Sequence, residues 1–401
     1  MSQSTNPTVP LHPANKAIVQ TSQRDRATGP LRLGVIGGGH LGRIHAKLAV
    51  GNEQIDCVGV ADPSPASRDL VSSQLGLPAY ENYRELIGNI DCAVVAAPTV
   101  HHYEVTADLL RSGVHCLVEK PLATTKDQSN RLVQIAKSHS RVLQVGHVER
   151  FNPMWTSAQD AIGAPKYIEA VRAGAYSGRS TDIGVVMDLM IHDLDLILSI
   201  DRSEVVSVQA SGVAVVGTHE DIAEARIEFA SGCIVSIRAS RLAQAPTRRM
   251  QIYSAAGYAD LDFSADELKV VRPNEDIVNR VIALDELPSA ERMVAKDKIF
   301  EDFLHPEAVE VPKRNAILDE HNDFVLSIET GCVPSVSGED GARAVAVASE
   351  IVEAVQRHAW DGPASKPWRV GPLATESPRI LPLQPQGPVP ATGEDQIRKA
   401  G

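Results

Sequence analysis

A strand that breaks on a glycine-rich turn and restarts as a helix leaves a chain few folds to choose from. Leu31, Leu33, Val35 and Ile36 form such a strand, and Gly37-Gly38-Gly39-His40-Leu41-Gly42 follows it as a G-x-G-x-x-G turn. Leu41, Ile44 and Leu48 then recur at helical spacing, and a second strand runs from Ile55 to Ala61 and ends at Asp62. Gly37 permits the tight turn, Gly39 lets a pyrophosphate approach the backbone, and Gly42 lets helix pack on strand. His40 and Leu41 open the helix, whose free N–H groups and positive dipole end suit phosphate. Asp62 lies 20 residues beyond Gly42, where a carboxylate accepts hydrogen bonds from an adenosine ribose. That carboxylate would repel a 2′-phosphate, so the expected cofactor is NAD rather than NADP. A doubly wound domain with an empty glycine turn is the competing reading.

Strand–helix alternation continues after Asp62, predicting an α/β domain with a parallel, doubly wound sheet over residues 31–150. Pro65 to Leu75 reads as a helix, Asn82 to Ile87 as the start of a short one, and Asp91 to Ala97 as an apolar strand covered on both faces. The crevice at the carboxyl ends of such strands binds ligands. Ala97, Pro98 and His102 fall there, although His102 reads equally as a capping or surface histidine. A further strand, Gly113 to Val118, ends in Glu119-Lys120-Pro121. Proline holds Lys120 extended at the mouth of the same crevice, where an ammonium polarises a hydroxyl or carbonyl oxygen. The ordinary alternative is an exposed lysine. A helix from Lys126 to Ser138 and a strand from Val142 to Val145 complete the domain.

Residues 183–200 are apolar around nearly the whole circumference of a helix, so the helix is expected to be buried. Asp188, His192, Asp195 and Ser199 nevertheless form one narrow polar stripe at i, i+4, i+7 and i+11. Burying an acid and an imidazole without partners is costly, so the stripe faces a wet cleft or a satisfied network. Beyond Ser203 the pattern changes to alternation and β-branched runs (Val205 to Val216, Ala223 to Phe229, Cys233 to Arg241, Met250 to Ser254, Ala259 to Phe263). This predicts an α+β domain over residues 151–360 with a mostly antiparallel open sheet. Two last helices, Asn315 to Glu329 and Gly341 to Arg357, are expected to pack back on the domains, while residues 274–312 are charged and irregular. Arg238, Arg241, Arg248 and Arg249 form a loose basic group that reads as a solvated sheet edge or a diphosphate contact.

Net charge of −12 and the lack of a long basic run argue against nucleic acid and anionic membranes as partners. No apolar run approaches the roughly 20 residues a membrane span needs. The five scattered cysteines offer no C-x-x-C or Cys/His cluster, so neither zinc nor another metal is expected, and a reducing cytoplasm fits them. Residues 1–30, rich in Ser, Thr, Asn, Gln and Pro, read as a disordered arm. Eight prolines make 361–401 a Pro-rich tail that either wraps over the protein, with Trp360 and Trp368 as anchors, or stays disordered.

These motifs together resemble the Gfo/Idh/MocA oxidoreductase family over most of residues 31–360. The resemblance rests on the glycine turn with His45 three residues after Gly42, on Ala97-Pro98-x-x-x-His102, and on Glu119-Lys120-Pro121-Leu122-Ala123. It also includes the G-x-x-x-D-x-x-x-H pattern from Gly184 to His192. Ala97 replaces the threonine usual before that proline. The resemblance implies hydride transfer from a sugar hydroxyl to NAD, with His192 as base, Lys120 stabilising oxygen charge and Asp188 orienting the sugar. It adds Ala97, Pro98, His102, Glu119 and Lys120 to the cofactor site and implies a homodimer or homotetramer built on the open sheet.

Gly146-His147-Val148-Glu149-Arg150-Phe151-Asn152-Pro153, at the domain junction, is similar to the branch that oxidises UDP-N-acetylglucosamine at C3 for surface-glycan biosynthesis. His147, Arg150 and Asn152 are therefore expected to meet a UDP-linked sugar, with structural salt-bridging the alternative for Arg150. A free polyol or hexose dehydrogenase and a non-catalytic NAD-sensing protein are the other readings.

Overall fold

The computed structural model describes residues 29–178, 183–216 and 218–357. The arm to residue 28 and the proline-rich tail, with Trp360 and Trp368, lie outside the described residues. The first sheet contains β1 (Leu31–Ile36), β2 (Ile55–Ala61), β3 (Ala79–Tyr80), β4 (Cys92–Val95), β5 (His115–Glu119) and β6 (Leu143–Gly146). All neighbours are parallel, in the order β3-β2-β1-β4-β5-β6. The order reverses between β1 and β4, which opens a crevice at their carboxyl ends. Burial on both faces explains the apolar strand runs. On β4, Cys92 and Val94 join one core while Ala93 and Val95 join the other.

Four helices cross between these strands: α1 (His40–Val50), α2 (Pro65–Leu75), α3 (Thr99–Arg111) and α4 (Lys126–Ser138). Ser64 caps α2 and Thr125 caps α4, each accepting a backbone N–H within the first turn. Asn82 closes a reciprocal capping box with Glu85, so the short element there is a single 3₁₀ turn, Tyr83–Leu86.

After β6 a 3₁₀ turn, Val148–Phe151, leads into α5 (Pro153–Ile162) and β7 (Pro165–Ala173). The buried segment is a π turn, Val186–Met190, continuing into α6 (Ile191–Ile200). Six strands follow: β8 (Val205–Val213), β9 (Ile222–Phe229), β10 (Ile234–Ser240), β11 (Thr247–Ser254), β12 (Gly257–Asp262) and β13 (Glu267–Pro273). The excursion from 274 contains α7 (Glu275–Val278), α8 (Ser289–Asp297) and β14 (Leu304–Val309). The second sheet has the order β14-β13-β12-β11-β7-β10-β9-β8 and is antiparallel except at β7–β10. β7, absent from the sequence reading, is therefore a central strand.

The last helices, α9 (Ala316–Thr330) and α10 (Gly338–Arg357), join the two halves. Phe324 and Val325 of α9 enter the core beneath α1, whereas α10 lies on α4, α6 and β8. Gly338 and Gly341 bring α10 onto β6. A Cβ at 341 would sit 2.5 Å from Val145 Cγ2, so only glycine admits this approach.

Candidate active site

The cofactor cradle begins at the β1–α1 turn. Gly37 has φ +105°, and a side chain there would press on the Ala96 carbonyl at 2.5 Å. A Cβ at Gly42 would collide with the Gly37 carbonyl, whereas at Gly39 it would meet open space. No side chain caps α1, and Gly39 and His40 are exposed at its start with Leu41 half-buried, so the helix N-terminus is open to an anion. Asp62 Oδ2 accepts the Gly38 N–H at 2.7 Å and Oδ1 the Ser64 N–H at 2.8 Å. A carboxylate has about four lone-pair sites, so capacity for ribose hydroxyls remains. A cavity of about 420 Å³ beside it is lined by Ile36, Gly37, Asp62, Tyr83 and Pro98 among others. Open turn, anion-ready helix and carboxylate-lined cavity fit a dinucleotide.

His102 contributes differently from the expectation. Nearly fully buried, it points Nδ1 at the Pro121 carbonyl (2.8 Å) and Nε2 at the Ala97 carbonyl (2.7 Å). Burial holds the imidazole below its ordinary pKa, and a neutral ring donates to only one of these carbonyls. It braces the Ala97-Pro98 turn against the cis Lys120–Pro121 turn. Glu119 likewise turns inward: Oε1 lies 2.8 Å from His45 Nε2 and Oε2 accepts the Lys120 N–H at 3.2 Å.

Lys120 reaches across the crevice to the second domain. Its Nζ donates to the Asp188 backbone carbonyl at 2.7 Å and to Asp188 Oδ1 at 3.1 Å, and both side chains are partly open to solvent. Asp188 sits in the π turn, with His192 on the following turn of α6. The π turn breaks the regular helix expected over 183–200. At its start a Cβ on Gly184 would collide with the Glu220 carboxylate, which accepts the Val186 N–H at 3.3 Å. Glycine at 184 is thus a steric requirement of the polar plug beneath Asp188.

His192 is half-buried, and its enclosed Nδ1 has no hydrogen-bond partner. Burial, then the positive charges of Lys120 and Arg172, push its imidazole well below the ordinary histidine value. It is therefore neutral at pH 7, the state a base needs. His147 ends β6 nearby, fully buried, with neither ring nitrogen partnered. Burial dominates its lowered pKa, opposed by the Asp195 charge.

Three expected substrate or polar-stripe residues are committed elsewhere. Arg150 forms a fork with buried Asp195, Nε to Oδ2 at 2.7 Å and Nη2 to Oδ1 at 3.1 Å, so the structural alternative holds for its guanidinium. Asn152 caps α5 through the Met154 N–H (3.0 Å) and donates to Glu149 at 2.9 Å. Ser199 Oγ bonds the Leu196 carbonyl at 2.6 Å. The four-arginine group also disperses. Arg241 pairs with Asp221, Arg248 with Glu149 and Arg249 with Asp260, while Arg238 is exposed on β10.

Beneath the site lies a buried ionic knot. Arg172 of β7 donates to Asp193 at 3.0 and 2.7 Å and to Glu149 at 3.1 Å. The three side chains bind β7, α6 and the turn after β6 into one unit. Its members stand far apart in sequence, so no local pattern announces it.

Residues 31–147 match the family model described as "Oxidoreductase family, NAD-binding Rossmann fold", and residues 157–260 match the GFO/IDH/MocA C-terminal domain. The chain is 33% identical over 327 residues to UDP-N-acetylglucosamine 3-dehydrogenase of Acidithiobacillus ferrooxidans, covering 81% of this chain and 97% of that enzyme. A solved structure of that enzyme matches with a TM-score of 0.71, at the same coverage. Inositol 2-dehydrogenase of Rhizobium meliloti is 24% identical over 343 residues, again covering 81% and 97%.

Proposed function

The chain belongs to the Gfo/Idh/MocA oxidoreductase family, and we propose that within it this protein oxidises a hydroxyl, at C3, of a nucleotide-linked amino sugar such as UDP-N-acetylglucosamine. The coarser activity, NAD-dependent dehydrogenation of a CH–OH group, follows from membership. The substrate reading draws its support from the 33% identity along nearly the whole length of the A. ferrooxidans enzyme.

One observation carries the chemistry. Asp188, which holds Lys120, lies one helical turn before His192, whose imidazole burial keeps neutral. His192 takes the hydroxyl proton, and Lys120 stabilises negative charge as it develops on the oxygen. Asp188 aligns Lys120 and accepts a second sugar hydroxyl with its remaining lone pairs. Bound NAD, held along Gly37, Gly39, Gly42 and Asp62, supplies the hydride acceptor. His147, buried with both ring nitrogens unpartnered, backs His192, while Arg150, Asn152 and His102 hold the walls.

The protein works as a homo-oligomer through the outer face of the second sheet. There Tyr167, Tyr253 and Tyr258 form an aromatic ladder with ring centroids 5.9 and 5.1 Å apart. Light scattering after gel filtration reads this directly.

The substrate test incubates the protein with NAD and UDP-N-acetylglucosamine, UDP-glucose, myo-inositol or glucose, with mass-spectrometric detection of a product two hydrogens lighter. Turnover of UDP-N-acetylglucosamine far above the others is expected. Oxidation of myo-inositol alone would reassign the enzyme to free polyols, a reading favoured by its likeness to inositol 2-dehydrogenase. NAD binding with no turnover of any of them would favour the sensor.

A further inference from the structure

Behind Lys120, away from the cleft, three side chains from distant parts of the chain meet in the interior. His45 comes from α1, Glu119 from the end of β5 and Glu320 from α9. His45 and Glu320 are fully buried and Glu119 nearly so. One nitrogen of His45 and one oxygen of each carboxylate all lie within 4.8 Å of one another. The other His45 nitrogen, Nδ1, bonds His321 Nε2 at 2.8 Å.

Glu320 is the unusual member. Neither carboxylate oxygen has a hydrogen-bond partner, although both are sealed from solvent. Ionised, it would set a second negative charge beside Glu119 with lone pairs that meet no donor, a costly arrangement inside a protein. A dication satisfies both demands. It cancels two carboxylate charges and occupies lone pairs that no donor meets.

We propose that His45, Glu119 and Glu320 form a buried site for a divalent cation of the zinc class. One imidazole nitrogen and two carboxylate oxygens are a borderline donor set, suited to zinc. The His45–His321 bond supplies the outer support that orients a metal-ligating imidazole. Such an ion takes no part in hydride or proton transfer. It ties α1, which opens at the cofactor cradle, to α9 and to the residue preceding Lys120. The site is therefore structural and independent of the substrate assignment.

The test uses tag-free full-length protein. Metal content is measured by inductively coupled plasma mass spectrometry, and chelator-stripped protein is titrated with zinc against a chromophoric competitor. About one zinc per chain is expected, with a thermal midpoint that rises on loading and falls on chelation. Glu320→Gln should lose both effects, whereas exposed Glu310→Gln should keep them. X-ray absorption on loaded wild-type protein should read nitrogen and oxygen ligands without sulfur, which decides the matter even if Glu320→Gln fails to fold. Failure of wild-type protein to bind stoichiometric zinc at about 10 μM free ion, equal binding by Glu320→Gln, or sulfur ligation would overturn the proposal.

Discussion

The ammonium of Lys120 is tied twice to Asp188, at 2.7 Å through the backbone carbonyl and at 3.1 Å through Oδ1. A strand end of one domain is thereby registered against the π turn of the other, across the crevice. Lys120→Met removes the charge and keeps the stem. We expect kcat to fall by about 10²- to 10⁴-fold while NADH binding, followed by fluorescence, persists. A loss of cofactor binding matching the loss in kcat would make Lys120 a cofactor ligand instead.

The depressed pKa of His192 fixes the acid side of the pH profile. The base must be neutral, so kcat/KM falls as pH drops through its pKa, and burial with Lys120 and Arg172 places that pKa below the ordinary histidine value. Activity should hold down past about pH 6.5 before declining. His192→Asn should abolish this limb along with most of kcat. A limb at or above the ordinary value would remove His192 from the role.

Gly42 offers a purely steric test. A methyl there meets the Gly37 carbonyl rather than a movable side chain, so the glycine turn itself must shift. Gly42→Ala should weaken NADH binding by about tenfold or more, a cost of about 1.4 kcal/mol. Gly39→Ala leaves the apo backbone undisturbed, because its added carbon faces open space, yet it fills the pyrophosphate path. Calorimetric melting should therefore lower the midpoint of the first variant and spare the second.

The Arg172 knot should behave as buried ion pairs do when one partner is removed. Arg172→Ala strands the enclosed Asp193 carboxylate and leaves Glu149 to Arg248 and Asn152, at a cost of about 3–5 kcal/mol in denaturant unfolding. Lys269→Ala, which breaks the exposed Glu267 pair, should leave the unfolding midpoint unchanged.

Local patterns carried the first domain far. The helices over 65–75 and 126–138 stand where their caps and periodicity place them, because each signal lies within a few residues of its element. β7 escaped for the opposite reason. Its Lys166 and Glu169 face solvent, and Arg172 is buried by carboxylates 21 and 23 residues away, so the apolar alternation of a strand is broken. The π turn was likewise hidden, since it depends on Glu220 pressing on Gly184. Asp188, His192 and Lys120 were legible as candidates through motif spacing. The committed partners of Arg150, Asn152 and His102 were not, for a side chain's availability depends on neighbours no spacing rule reports.

Val145 of β6 sends its N–H to the Val336 carbonyl at 3.0 Å, and α10 then closes over Leu143 and Val145 through two glycines. A ribosome that has made the first 150 residues has consequently made an unfinished half. Its greasy flank stays bare until α10, residues 338–357, has been translated. The nucleotide-binding portion alone should come out of cells as aggregate, and chaperone demand should end only when α10 emerges.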